Sequence, residues 1–219
     1  MKLKNILSEL EIGKSLNEIG EGSRPFAWKR VGPVSVDRTW MTTLTKVDKA
    51  DTNPNWTQLP TMNYEFKSDK ATYNVRIAGG WKRYTYIPAF RRPGAPTPQD
   101  FDLIIVVSFD VVGSDDTPIT NFGEQFRVVT TVTDIVESVV KEIDQWKWVK
   151  LQEIRIAPKL EDSEEGKPIA QSKRGRLYLE YIKKQGNRLP GDWTVEIQKD
   201  HFLIKRGKWS GGSNFIQIQ

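Results

Sequence analysis

The stretch Asn121–Ile143, NFGEQFRVVTTVTDIVESVVKEI, decides the fold. Read with a 3.6-residue period, Phe126, Val129, Val132, Val136, Val139 and Ile143 fall on one face, and Val128, Ile135 and Val140 widen it. Read by local propensity, the same stretch is a strand, because Val128–Thr133 (VVTTVT) is an unbroken β-branched run, stiff at χ1 and at home in sheets. The period outweighs the propensity, so a helix is expected. Asn121 can cap it, with Glu124 three residues on in a capping-box arrangement.

Immediately upstream, Phe101–Val112 (FDLIIVVSFDVV) is apolar enough for a central strand. Before that, residues 88–100 (PAFRRPGAPTPQD) carry too many prolines to be anything but a loop. Residues 64–77 (YEFKSDKATYNVRI) read as a hairpin: Tyr64 and Phe66 alternate with polar residues, as do Tyr73, Val75 and Ile77, and Ser68-Asp69-Lys70 is the turn. In residues 24–63, Pro25, Pro33, Pro54 and Pro60 argue against long regular elements, while Trp28, Trp40 and Trp56 supply large surfaces that are costly to leave in water. A packed irregular region or short strands are expected there. Residues 1–23 begin as a short amphipathic helix (Leu3, Ile6, Leu7, Leu10), which Gly13, Gly20 and Gly22 interrupt.

Downstream, a strand is expected over Leu151–Ala157, then an acidic loop over Glu161–Gly166. A second helix follows over about Ile169–Gln185, with Leu177, Tyr178, Tyr181 and Ile182 on its apolar side and Gly186 at its end. Trp193–Arg206 alternates as a hairpin turning near Lys199-Asp200, and the tail Gly207–Gln219 offers an edge strand at Phe215, Ile216 and Ile218 or a segment that docks on a partner. The order from residue 64 is β-β-β-α-β-α-β-β. The expectation is therefore an α+β fold, a mixed or antiparallel sheet covered by two helices. The domain division expected is 1–63, a helix and a Trp/Pro-rich region packed on the rest; 64–206, the α+β domain; and 207–219, the tail.

Composition narrows the function. At 219 residues the chain can bury a core without staples, hiding roughly 70% of its unfolded surface. It has no cysteine, which removes disulfides and thiolate metal sites. Met1–Leu10 (MKLKNILSEL) lacks the apolar core and cleavage site of a secretory signal, and the longest apolar run, Leu103–Val107, is far too short to span a bilayer. No secretion and no membrane partner are expected. The net charge is +5, from 33 basic and 28 acidic residues. That is a mild excess, and a polyanion-binding face needs clustering to be credible.

No cluster with catalytic chemistry stands out. The single histidine, His201, sits in a hairpin turn beside Asp200, where solvation is the ordinary fate. There is no nucleophile elbow, phosphate-binding loop or dinucleotide fingerprint. Asp110, Asp115 and Asp116 could hold a hard cation, but a polar turn leading into the helix is the better reading. Glu161, Asp162, Glu164 and Glu165 read as a solvated loop. Two basic patches carry more information. Lys82, Arg83, Arg91 and Arg92 are interleaved with Trp81, Tyr84, Tyr86 and Phe90, the mixture of cations and stacking faces that suits single-stranded nucleic acid. The second is Lys173, Arg174 and Arg176 with Lys183, Lys184 and Arg188 on the second helix. The competing reading is a solvated helix surface and an aromatic core strand.

Three segments carry a resemblance. Thr120–Lys141 (TNFGEQFRVVTTVTDIVESVVK), the R-x-x-L-Y element of Arg174, Leu177 and Tyr178, and Ile19–Lys29 (IGEGSRPFAWK) resemble motifs of an uncharacterised family of bacteriophage proteins. In that family a Thr-Asn-x-Gly turn also leads into a Val-rich helix. The departures are the Trp/Pro-rich stretch near residues 37–60 and the loop at 88–100, which look like interaction surfaces. The resemblance implies a phage protein; with the missing active site and the aromatic and proline-rich loops, the expectation is a non-enzymatic protein without a cofactor that works in the virion or host cytoplasm through contacts with other virion proteins or with itself. A nucleic-acid-binding accessory protein using the two basic patches is the alternative, and an enzyme of unrecognised type a third.

Overall fold

The computed structural model describes residues 24–45, 57–83, 101–113, 125–146, 149–157, 168–185, 188–207 and 215–218. Along the chain come β1 (Trp28–Val31), a π-helical turn (Val36–Trp40) running into α1 (Met41–Thr45), β2 (Thr57–Lys67), β3 (Thr72–Arg83) and β4 (Phe101–Val111). Then follow α2 (Gln125–Asp144), β5 (Val149–Ile156), a 3-10 turn (Ile169–Gln171), α3 (Lys173–Gln185), β6 (Trp193–Ile197), β7 (Phe202–Arg206) and β8 (Phe215–Ile218). The eight strands form one sheet in the order β1-β2-β3-β4-β5-β7-β6-β8. Every pairing is antiparallel except β4 with β5, where α2 makes the crossover that a parallel pair requires.

The fold is mixed α+β, and the β-branched stretch is helical. Val128, Val129, Val132, Ile135, Val136, Val139, Val140 and Ile143 are all buried against the sheet. Two of the three threonines in the run are also buried, and each returns its hydroxyl to the preceding turn: Thr130 Oγ1 donates to Phe126 O at 2.9 Å and Thr131 Oγ1 to Arg127 O at 2.7 Å. Helix propensity penalises each β-branched residue by a few tenths of a kcal/mol, roughly, whereas burying a Val side chain gains about 1.5 kcal/mol or more. The packing term wins. The expected cap at Asn121 and Glu124 lies outside the described residues.

The hairpin at 64–77 is present with its turn at Ser68, whose backbone N–H donates to Ala71 O at 2.9 Å, but its strands are longer than the alternation indicated. The boundary expected between residues 63 and 64 falls inside β2, and the stretch 24–63 holds a strand, a helical turn and half of another strand. Pro60, which read as a breaker, and Gly79 together explain the miss. Pro60 sits where the β2–β3 register shifts between Leu59 and Met62, a bulge that tolerates a residue without an N–H. Its carbonyl accepts the Trp40 indole N–H at 2.7 Å. Gly79 lies in β3 under that same indole, where an added Cβ would stand 2.8 Å from a Trp40 ring carbon. Trp40 is wholly buried, so the helical turn at Val36–Trp40 is a third cover on the sheet beside α2 and α3.

The segment before β1 lies along α2. Arg24 O accepts from Arg127 Nε at 2.9 Å, Phe26 N–H donates to Thr131 Oγ1 at 2.9 Å, and Trp28 Nε1–H donates to Asp134 Oδ2 at 2.7 Å. Alternate residues of an extended segment thus meet successive turns of one helix stripe. The Arg127 guanidinium also covers the Phe26 ring at 3.9 Å, and that ring begins a stack through Phe66 (5.8 Å) to Tyr73 (4.8 Å).

Candidate functional site

Burial alternates along the central strands, and the helices use only one side of it. Leu103, Ile105 and Val107 of β4 and Tyr73, Val75 and Ile77 of β3 are buried in one cluster with α2, α3 and Trp40. The residues between them point to the opposite face, which no described element covers. One row across it runs Ala78, Val106, Arg155, Leu203 and Glu196. Its apolar side chains are Ala78, Ile104 and Val106 on β3 and β4 and, across Arg155, Leu203, which is buried. Val106 is 38% exposed although it stands in a central strand. The exposed large apolar side chains among the described residues are Val31, Val106 and Val112. The first two lie on this face, and Val112 continues the β4 alternation just beyond the strand end.

Ion pairs frame the apolar side chains. Lys29 meets Glu65 at 3.4 Å, Arg76 meets Asp110, Glu153 meets Arg155 at 3.1 Å, and Lys205 meets Glu196 at 2.7 Å. Gln152 Nε2 donates to Asp102 Oδ1 at 3.1 Å. Pairs this exposed stabilise by about 0–1 kcal/mol each, so their main effect is to neutralise the face. A single-sign field, which would attract a polyanion, is not what this pattern produces. These charges occupy alternate strand positions, a signal legible in the sequence. What joins them into pairs is the strand register, which is not.

The residues proposed from sequence for polyanion binding are dispersed. Trp81 lies in β3 and is buried, which corrects its reading as an open stacking face; Lys82 and Arg83 finish the same strand. Tyr84, Arg91 and Arg92, like Tyr86 and Phe90, lie outside the described residues. Lys173, Arg174 and Arg176 open α3, where Arg176 is exposed. The described residues of the two patches stand at opposite ends of β4. Arg83 pairs with Phe101, where β4 begins, whereas α3 meets the other end, through Tyr178 on Phe109 at 5.9 Å. Eight strand residues separate those positions, about 26 Å. Lys183 is held by Glu180 at 2.7 Å, and Arg188 by Asp134 at 3.0 Å and Glu137 at 2.7 Å.

Other groups are structural by their surroundings. His201 Nδ1 meets Asp200 Oδ1 at 2.8 Å in the β6–β7 turn, and this bond holds the Asp200 carboxyl below its ordinary range. Among the described residues no three His, Asp or Glu side chains gather as metal ligands; Asp110 is taken by Arg76, and Asp115 and Asp116 lie outside those residues. No described helix is long and apolar enough to cross a membrane. Between α2, α3 and the sheet is a cavity of about 40 Å³, lined by Phe109, Val129, Val132, Val136, Tyr178 and Ile182 among others. Ligand sites run to about 300–1,000 Å³, so this is a packing gap. A polar depression lies at Asp144, Pro190, Asp192 and Arg206. Its cation is engaged: Arg206 meets Asp144 at 2.6 Å and covers the Trp193 ring at 4.8 Å. Burial pushes the Tyr64 hydroxyl up to about 12, with the Glu142 charge adding to it. Burial likewise raises Glu142, against the opposing pull of Arg30 and with a push from Asp37. The Tyr64 ring packs against Trp28 at 5.6 Å and its hydroxyl meets Met62 Sδ at 3.8 Å, which is a packing role.

Comparison with known proteins adds no relative. No family model matches the chain, no curated protein matches it, and no solved structure matches it.

Proposed function

We propose that this is a non-enzymatic protein that acts through protein–protein contacts made by the sheet face that no described element covers. The observation that carries this reading is the placement of Val31, Val106 and Val112 on that face or at its rim. Val106 has Ala78 beside it and Ile104 along its strand, and apolar side chains framed by polar residues are what interaction sites present. The pairing of Lys29, Arg76, Arg155 and Lys205 with carboxylates supports a protein partner over a nucleic acid. The setting we propose, a bacteriophage particle in which the chain is a structural or accessory component, comes from the resemblance of Thr120–Lys141 and of the Arg174-Leu177-Tyr178 element to phage proteins. Mass spectrometry of purified particles tests it. The chain is expected among the particle proteins in reproducible copy number. Abundance in infected cells with absence from particles would overturn the virion setting.

A further inference from the structure

The strand β8 is reached by a short path. β7 and β8 both pair antiparallel with β6, from opposite sides, so they run parallel to each other with β6 between them. Arg206, where β7 ends, pairs with Trp193, whereas Phe215, where β8 begins, pairs with Glu196. The chain must therefore return along the length of β6 before it enters β8. It leaves β7 through Gly207, which has a φ of 126° and whose N–H is held by Asp192 O at 2.9 Å. Only Lys208–Asn214, seven residues, remain for the return. A parallel connection ordinarily takes about a dozen or more.

The required reach follows from sheet dimensions. From Gly207 to Phe215 the link climbs about four residues along β6, ~13 Å, and moves about two strand spacings sideways, ~10 Å. The straight line, roughly 16 Å, passes through β6 itself. A segment seated on a sheet face stands about 10 Å off it, so the route out, across and back is roughly 26 Å. The steps from one Cα to the next between those two residues span about 29 Å at most. Within one copy the link has little slack, and short links under strain invite a strand to exchange between copies. β8 is the strand whose exchange disturbs least, because it ends the order of the described strands and pairs there with β6 alone. A second copy offers the same β6 in the same register, so the ladder lost within one chain is remade across two, and a twofold pair closes it. We infer that β8 is exchanged between two copies of this chain, each β8 pairing with the β6 of the other. This goes beyond the reading of the sheet face as a contact surface and does not rest on it.

Disulfide trapping in the full chain tests this. The chain has no cysteine, so a pair can be placed without background. Thr194 pairs with Gln217 and Val195 with Ile216. Neighbouring antiparallel pairs alternate between Cα separations of about 5.5 and 4.5 Å, both within disulfide reach. Thr194→Cys with Gln217→Cys, or Val195→Cys with Ile216→Cys, is expected to oxidise to a covalent dimer at ~100 µM, read on a non-reducing denaturing gel. Pairing inside one copy would leave a monomer band. Inserting Gly-Ser-Gly-Ser between Gly211 and Gly212 supplies the missing slack and should lower the dimer fraction about tenfold. Val106→Glu, on the sheet face, should leave that fraction unchanged. The unmodified chain should show a mass rising towards twice the monomer with concentration in sedimentation equilibrium. A disulfide confined to single chains, no disulfide from either pair, or an unmodified chain that stays monomeric up to ~100 µM overturns the inference. So does a dimer fraction indifferent to the insertion, or one lost in Val106→Glu. The insertion tests the exchange and incorporation into phage particles tests the virion setting, so the two readings fail separately.

Discussion

At the scale of single residues, the tightest constraint is the meeting of Trp40, Pro60 and Gly79. The indole occupies the space a Cβ at residue 79 would need, and its N–H uses a carbonyl that the bulge at Pro60 sets free. Gly79→Ala should therefore destabilise by about 1–3 kcal/mol in urea unfolding, because a filled core has no room for a methyl. An unchanged midpoint would mean that Trp40 is not seated there. None of this was legible in the sequence, where Pro60 read as an interruption and the partner that makes it useful is far along the chain. Glu142 gives a second test. Its folded-state pKa is raised, so the folded chain holds this proton more tightly than the unfolded one. The contribution to stability is present below the unfolded pKa and lost as pH rises through the folded pKa. Glu142→Gln should raise the melting temperature at pH 7 and do so less at pH 4; the opposite order would place the carboxylate in a favourable charged site.

At the scale of elements, α2 shows periodicity defeating propensity. The apolar face from Val129 to Ile143 was legible, as was the β-β-β-α-β-α-β-β order around it, because both rest on local pattern. The extra helical turn at Val36–Trp40 was not, since Ser35 caps it, accepting from Arg38 N–H at 3.2 Å, in a stretch flanked by proline and rich in β-branched residues. Val136 is 5% exposed against the sheet. Val136→Asp should cost about 3 kcal/mol or more, the penalty of burying an unpaired charge, read from denaturant unfolding followed by circular dichroism. A melt left unchanged would mean the helix presents a different face.

At the scale of the whole molecule, the described helices cover one face of the sheet and no described element covers the other. The apolar positions were legible one strand at a time, yet which side the helices cover depends on where α2 and α3 dock. The basic patches teach the converse: each is local in the sequence, yet their described residues stand at opposite ends of β4, and Trp81 of the first is core. Oligonucleotide binding should accordingly be weak at physiological salt, with no preference for single strands over duplex, and Trp81→Ala should lower stability instead of affinity. Tight, aromatic-dependent binding with a log–log salt slope near −3.5, as about five single-strand phosphate contacts would give, would favour the nucleic-acid reading. The most direct test of the contact face is incorporation into phage particles of Val106→Glu beside Arg176→Glu, each expressed with wild type as competitor and counted by mass spectrometry. We expect Val106→Glu to be depleted from particles at least tenfold and Arg176→Glu to enter like wild type. Equal incorporation of Val106→Glu would contradict the assignment of this face as the contact surface.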